Sequence, residues 1–476
     1  MGLRGVPLTG TRGLAKSFAP GVSRITGWVR FPASPGRPNC LTDGEQLYGT
    51  LAAGADTRGT VTPDLARPAA PLLFVIGATG GGHRSAALAV SEALDRAYPG
   101  QFAPVIHDAL AGRGTPLRLR FVVSLYAPSI RLAPWLWGMS WRFSDKRWAL
   151  ALVRRTAFGA VRGRVAAAVS AHRPAAVVAF HGMVTWPAVL ARQHAQPGAP
   201  VITVVTDLVT THRSWREPTV DMIVVPSPAV GGSCRADGMA PGQWTDMGLP
   251  VTADFAAGPL PESERRALRR ALGLSEDRFV VVVTGGAEGA GRIFRKATAI
   301  ARRLGDVSVV AICGHNDLLR QRLTRTAPRY GDRLTALGFV GNMADWMRCA
   351  DIVVTKAGPG TIAEAACCGT ALILTSYVPG QEEGNAEFVV AAGAGRWAPR
   401  LPELLAAISD LQHNPDTLAR MRAASARLAR PDAAAAIARL VANLVSPGEE
   451  ASPGQASPGS GEPNEAALSP SSASGR

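Results

Sequence analysis

The chain has 476 residues and a mass of 49.6 kDa, a length that points to two folded domains rather than one. A composition of 47% hydrophobic and 18% charged residues excludes a wholly disordered chain, and six cysteines without a CxxC pair exclude a disulfide scaffold and a zinc site. The formal charge of +15 fits nucleic acid, an anionic membrane surface or anionic substrates, and by itself does not choose among them.

Residues 1–70 read as a flexible N-terminal extension. They carry no acid before Asp43, are broken by Gly and Pro, and hold no compact apolar segment, so a secretory signal is not expected. Their composition resembles a transit peptide only faintly. Val6 defeats a myristoylation pattern after Met1-Gly2. No run of about 18 uncharged apolar residues predicts a spanning helix. The thiols are expected to be reduced, in a cytosolic protein.

The folded region opens at Pro71. Residues 72–76 form a short apolar run, a buried strand. The glycine turn 77–83 follows, then a helical pattern over 85–98. Strand, glycine turn and helix together start a doubly wound α/β unit. A basic helix is expected over 149–171, and strands over 175–180, 201–206 and 222–225. Residues 250–261 look like a linker. The pattern then restarts with a strand over 279–284, a second glycine loop over 285–291 and a helix over 292–304. Strands recur at 307–313, 334–339, 352–355 and 371–374. The expected domains are therefore 71–255 and 256–445, followed by a disordered tail over 446–476 rich in Ser, Pro, Gly and Glu. Two such halves leave a cleft at the carboxyl ends of their strands.

Neither glycine loop has the spacing of a nicotinamide fingerprint, and no P-loop Lys-Ser/Thr follows either one. Residues 355–365 say more. Thr355 and Lys356 leave a strand, the chain turns through Gly358-Pro359-Gly360, and a helix begins at Thr361. Open N–H groups at such a helix start suit a diphosphate. Glu364, one turn in, suits a ribose diol. Gln381, Glu382 and Asn385 stand on a loop after the next strand and suit sugar hydroxyls.

The segment 355–365, taken with 379–385, resembles the donor-sugar signature of the monogalactosyldiacylglycerol synthase and processive diacylglycerol glucosyltransferase family, which is related to the peptidoglycan glycosyltransferase MurG. Other matches fall in the same order. Residues 79–86 resemble the family's N-terminal acceptor loop, with Gly81, Gly82 and His83. Thr206-Asp207-Leu208 with His212 and Trp215 resembles its Thr-Asp-Leu…His…Trp segment. Residues 285–291 resemble its Gly-Gly-Gly-Glu-Gly-Met-Gly loop, and Gly338-Phe339-Val340 with Asn342-Met343 its Gly-Phe…Asn-Met turn. The likeness covers roughly 71–430. It departs at Ala287 and Ala290 (Gly and Met in the family), at Gly182 (Pro), and after Asp108, where the family's Pro-Trp pattern is missing.

The resemblance implies an α/β GT-B fold, with two doubly wound Rossmann-like domains facing across a cleft. It also implies an inverting transfer of galactose or glucose from a UDP-sugar to diacylglycerol or a related lipid. Such a transfer needs a base for the acceptor and donors for the leaving diphosphate. His83 is the candidate base, and Asp207 is expected to orient His83 or the acceptor. His181 and His212 are cleft-lining candidates. Gly286, Glu288 and Gly289 belong near the diphosphate, Phe339 and Val340 near uracil, and Lys356 is a candidate to offset the diphosphate charge. No cofactor or metal is expected; the UDP-sugar is a co-substrate. The rival readings are a MurG-like transferase with another lipid-linked or soluble acceptor, a UDP-sugar epimerase, and a binding protein without activity.

The charge itself has an address. Residues 118–164 carry ten Lys or Arg and one acid, Asp145. Trp135, Trp137, Trp141, Phe143 and Trp148 are interleaved with Arg142 and its neighbours. Aromatic rings among cations describe an interfacial membrane segment. No nucleic-acid recognition motif accompanies them. The expected setting is cytoplasmic, peripheral to the inner face of the cell membrane.

Overall fold

The computed structural model describes residues 68–77, 81–112, 115–125, 129, 133–156 and 158–446. The N-terminal extension, residues 78–80 of the first glycine turn, and the tail after Ser446 lie outside the described residues.

Two six-stranded sheets, parallel throughout, organise the chain. The first contains β1 (Ala70–Ile76), β2 (Phe102–Asp108), β3 (Ala176–Ala179), β4 (Val201–Val204), β5 (Met222–Val225) and β6 (Trp244–Asp246), in the order β2-β1-β3-β4-β5-β6. The second contains β7 (Phe279–Thr284), β8 (Val307–Ile312), β9 (Leu334–Leu337), β10 (Ile352–Thr355), β11 (Ala371–Leu374) and β12 (Gly395–Trp397), in the order β12-β11-β10-β7-β8-β9. Helices cover both faces, so the inner strands are near-continuous apolar runs, broken only by Thr or Ser, rather than apolar at alternate positions. In β1, Leu72, Phe74 and Ile76 enter one core, while Leu73 and Val75 enter the other. Val280 and Val282 of β7 likewise oppose Val281 and Val283.

Three edge strands were not expected: β2, β6 and β12. Pro104 sits inside β2, where an edge position tolerates its missing N–H. The other two are three residues long. The basic helix expected over 149–171 is two helices, Arg147–Thr156 and Gly159–His172, broken at Phe158, which is buried and faces Trp186. The linker contains a short helix, Ala253–Ala256. The last helix, Ala433–Val445, returns to the first half: Ile437, Ala438 and Val441 pack with Leu72, Phe74 and the helix Gly81–Ala97. No helix among the described residues is long and apolar enough to cross a membrane.

Candidate active site

In the first sheet the strand order reverses between β1 and β3, and in the second between β7 and β10. Carboxyl ends of strands at such reversals open the crevices where α/β sheets bind ligands. β1 leads to the helix Gly81–Ala97 and β3 leads to His181. β7 leads to the glycine loop 285–291, and β10 to the turn 356–358. The two crevices meet, since a Cβ on Gly81 would lie 3.0 Å from the Cβ of Ala287.

His83 is buried, with Nδ1 2.7 Å from Thr206 Oγ1 just beyond β4. Its ring meets His181 edge-on at 4.5 Å, with Trp215 at 6.0 Å. Burial pushes its pKa down to about 4, opposed by a hydrogen bond to the Phe180 backbone. The imidazole is therefore neutral near pH 7 and able to take a proton. His181 caps the helix Gly182–Ala195, its Nδ1 accepting from Met183 N at 3.1 Å. Burial, then the nearby His83, hold His181 well below the usual histidine range. A Cβ at Gly182 would lie 2.6 Å from Ser214 Oγ and 3.2 Å from the Trp215 ring, so glycine lets Trp215 pack on the helix start.

Asp207 does something other than hold His83; Thr206 fills that place. Asp207 Oδ2 accepts from Trp215 Nε1 at 2.7 Å, and Oδ1 accepts from Gln381 Nε2 at 3.0 Å, a bond that spans the cleft. Burial pushes the Asp207 pKa up to about 6, against both hydrogen bonds. His212 lies at the wall: its Nδ1 accepts from Ser214 N at 3.1 Å, Ser144 Oγ lies 3.2 Å from Nε2, and Trp141 meets it at 5.4 Å.

On the donor side, the glycine loop folds tightly against β8. Gly289 has φ +59°, and a Cβ there would lie 2.2 Å from Cys313 O. Gly286 also has positive φ, and Glu288 is exposed without an ion pair among the described residues. His315 N donates to Ala287 O at 2.7 Å, and the His315 ring stacks on exposed Phe339 at 4.4 Å and 9°. Val340, beside it, is half-buried.

Lys356 pairs with Glu382 Oε1, and Glu382 Oε2 accepts from Val378 N at 3.0 Å. The two candidates thus hold each other and the loop. Asn385 is fully buried and ties that loop to the turn, its Nδ2 donating to Ala357 O at 2.9 Å. Gly358 caps the helix Pro359–Cys367 without a side-chain bond, which leaves the N–H groups of Gly360 and Thr361 open. The Glu364 carboxylate makes no hydrogen bond or ion pair among the described residues, and burial pushes its pKa up to about 7.

Sequence reasoning missed three residues of the site: Thr206 as the partner of His83, His315 under Phe339, and Lys296. Lys296 Nζ donates to Thr375 Oγ1 at 2.5 Å. A run without any acid, 289–305, was the available signal for Lys296. Among the described residues, no group of three or more His, Cys, Asp or Glu is placed to hold a metal ion.

The aromatic segment divides in two. Trp135, Leu136, Met139, Phe143, Trp148 and Leu152 are each more than half exposed. Trp137 and Trp141 turn inward, and a Cβ on Gly380 would lie 3.0 Å from the Trp141 ring. Arg142 pairs with Glu383 of the second half at 2.9 Å. Beside this contact lies a pocket of about 450 Å³ between Trp135, Gly138 and Met139 on one side and Tyr377 and Pro379 on the other.

The monogalactosyldiacylglycerol (MGDG) synthase family model matches residues 83–251, and the glycosyltransferase family 28 C-terminal domain matches 280–437. A probable monogalactosyldiacylglycerol synthase 2, chloroplastic, of Oryza sativa subsp. indica is 31% identical over 74% of this chain and 80% of its own length. A probable monogalactosyldiacylglycerol synthase, chloroplastic, of Nicotiana tabacum is 32% identical, over 77% of this chain and 69% of its own. The crystal structure of Acinetobacter baumannii MurG superposes with a TM-score of 0.50 at 18% identity, covering 79% of this chain and 99% of that one. The expected GT-B fold is thus present. The expected cytoplasmic setting on the inner face of the cell membrane is overturned, because these relatives are named chloroplastic. Charge and aromatic pattern speak for an interface, not for a compartment. On the strength of these identities, spread over both halves, the chain belongs to the monogalactosyldiacylglycerol synthase family of glycosyltransferases.

Proposed function

We propose that the chain transfers a hexose from a UDP-sugar to the free hydroxyl of a diacylglycerol-type lipid, with inversion at the anomeric carbon. The observation that carries this is the meeting of the two crevices at Gly81 and Ala287. It sets a buried neutral imidazole on one side of the cleft and a bare helix start on the other. His83 takes the acceptor proton as the acceptor oxygen bonds the anomeric carbon. The bond from that carbon to the diphosphate breaks on the opposite face, and UDP leaves. The open N–H groups of Gly360 and Thr361 receive its charge. A base held near 4 is weak, but the negative diphosphate raises its pKa once bound. Glu364 accepts from the ribose diol, and Gln381 leaves Asp207 to meet the sugar. The names of the relatives favour galactose. No resident cofactor or metal enters the reaction.

The lipid arrives from an anionic membrane surface. Trp135, Phe143 and Trp148 are exposed beside Lys146 and Arg147, which suits headgroup-level insertion. The pocket lined by Trp135, Met139 and Tyr377 lies beside the loop of Gln381 and suits the apolar part of the acceptor.

The test is a screen of UDP-hexoses against lipid acceptors, with products identified by mass. A galactosyl diacylglycerol is expected, and His83→Ala should lower its rate by about a hundredfold or more. Donor turnover without lipid would establish an epimerase instead, and product only with another acceptor would establish a MurG-like transferase. Flotation with anionic vesicles checks the surface: a protein that stays at the bottom of the gradient removes the membrane from the proposal.

A further inference from the structure

We infer that Lys296, rather than Lys356, is the lysine that receives the negative charge of the nucleotide diphosphate. This rests on the UDP-sugar donor proposed above and assigns a residue to it.

The expectation for Lys356 came from its place beside the Gly-Pro-Gly turn. Its ammonium is already matched by Glu382, whose other oxygen is fixed by Val378 N. A lysine neutralised by a buried carboxylate offers little net charge to a third party. Lys296 differs on that point. It projects from the helix Ile293–Arg303, directly after the second glycine loop. Its tip reaches Thr375, just past the end of β11, and a Cβ on Gly291 would lie 3.6 Å from Nζ and 3.8 Å from Ser376 Oγ. Gly291 closes the glycine loop, and Ser376 O accepts from Ala357 N in the turn after β10. Lys296 therefore stands where the loops after β7, β10 and β11 converge.

An ammonium has three donors, and this one spends a single donor on protein among the described residues. The hydroxyl it meets is itself committed, since Thr375 Oγ1 donates to Thr355 O at 2.9 Å. Among the described residues no carboxylate lies within ion-pair distance, and the charge that acts on it is another cation, Arg292. Arg292 is held at φ 57°, a left-handed backbone rare outside glycine, and is exposed at the mouth of the same loop. Burial, then Arg292, push the Lys296 pKa down to about 8. A half-buried cation kept beside a second cation, with no acid opposite, is an unfavourable arrangement for the protein alone. A diphosphate between the glycine loop and the helix start at Pro359 reverses that balance.

The experiment is calorimetric titration of the full chain with UDP, for wild type, Lys296→Met and Lys296→Arg, with uridine as a competitor that carries no phosphate. Loss of a charge-assisted contact should weaken UDP binding roughly ten- to a hundredfold in Lys296→Met. Lys296→Arg should recover most of it, and uridine should compete equally in all three. Removing a cation that has no acid opposite leaves no orphaned charge, so Lys296→Met is expected to fold at least as stably as wild type. Wild-type UDP affinity in Lys296→Met would overturn the assignment and leave the donor proposal standing. An equal loss for uridine and UDP would also overturn it, by showing a general collapse of the loop. A wild-type chain that binds no UDP would remove the donor, and this assignment with it.

Discussion

Replacing Asp207 by asparagine separates what its carboxylate does for the fold from what it does for the site. The carboxyl is 4% exposed, and burial raises its pKa from 3.8 to about 6, against the hydrogen bonds from Gln381 and Trp215. A raised carboxyl pKa means that the folded protein holds the proton more tightly than the unfolded chain does. The stability tied to that proton is complete below about pH 3.8 and is lost as pH rises through about 6. At pH 8 the buried charge therefore costs roughly 3 kcal/mol, from about two pH units at about 1.4 kcal/mol each. Asparagine is uncharged at every pH. Its oxygen accepts from Trp215 Nε1, and its nitrogen donates to a turned Gln381 amide, so both partners stay satisfied. Asp207→Asn should thus stabilise the fold by up to about 3 kcal/mol at pH 8 and by close to nothing at pH 4. Urea melts at the two pH values, compared by midpoint at equal slope, measure the difference. Transfer activity should fall, because the charge belongs to the site and not to the scaffold. A variant less stable than wild type at pH 8 would refute this, since the carboxylate would then be a net anchor between the halves.

Asp351 is the opposite case. It is buried and accepts from Arg265 Nη1 at 2.6 Å, Arg269 Nη2 at 2.8 Å and Val280 N at 2.7 Å. Asp351→Ala removes the carboxylate that two buried guanidinium groups share, leaves Arg265 with Glu262 alone and Arg269 with no ion pair among the described residues, and should cost about 3–5 kcal/mol in a urea melt. Glu364 gives a pH signature. Its pKa of about 7 falls if ribose hydroxyls donate to the carboxylate, so affinity for UDP-glucose should rise between pH 6 and 7.5. Glu364→Gln should flatten that rise in calorimetry.

Much of this was legible in the sequence where the signal is local. Apolar runs followed by glycine turns located both sheets, and Gly358-Pro359-Gly360 marked the start of the helix Pro359–Cys367. What escaped had no local signal. β6 and β12 are too short for a period, and Pro104 disguised β2. Thr206 and Asp207 are neighbours beyond β4, and adjacent extended side chains point to opposite faces, so which one meets His83 depends on the strand's exact exit. Lys356 and Glu382 lie 26 residues apart, and only the fold brings them together. The single helix read over 149–171 has a steady alanine-rich pattern, and the buried Phe158 that breaks it is placed by a tertiary contact with Trp186.

The return of the helix Ala433–Val445 to the first sheet has a mechanical consequence. The backbone passes between the halves twice, and the passages touch: a Cβ on Gly248 would lie 2.5 Å from the Arg430 side chain and 3.4 Å from the Ala433 Cβ. Two adjacent spans act as a door hung on two pins rather than on one. Splaying the pins apart would tear Ile437 and Val441 from the core they share with Leu72 and Phe74. The freedom that remains is a swing about the axis through both crossings. Such a swing has to part Arg142 from Glu383 and Gln381 from Asp207, the side-chain contacts that bridge the halves.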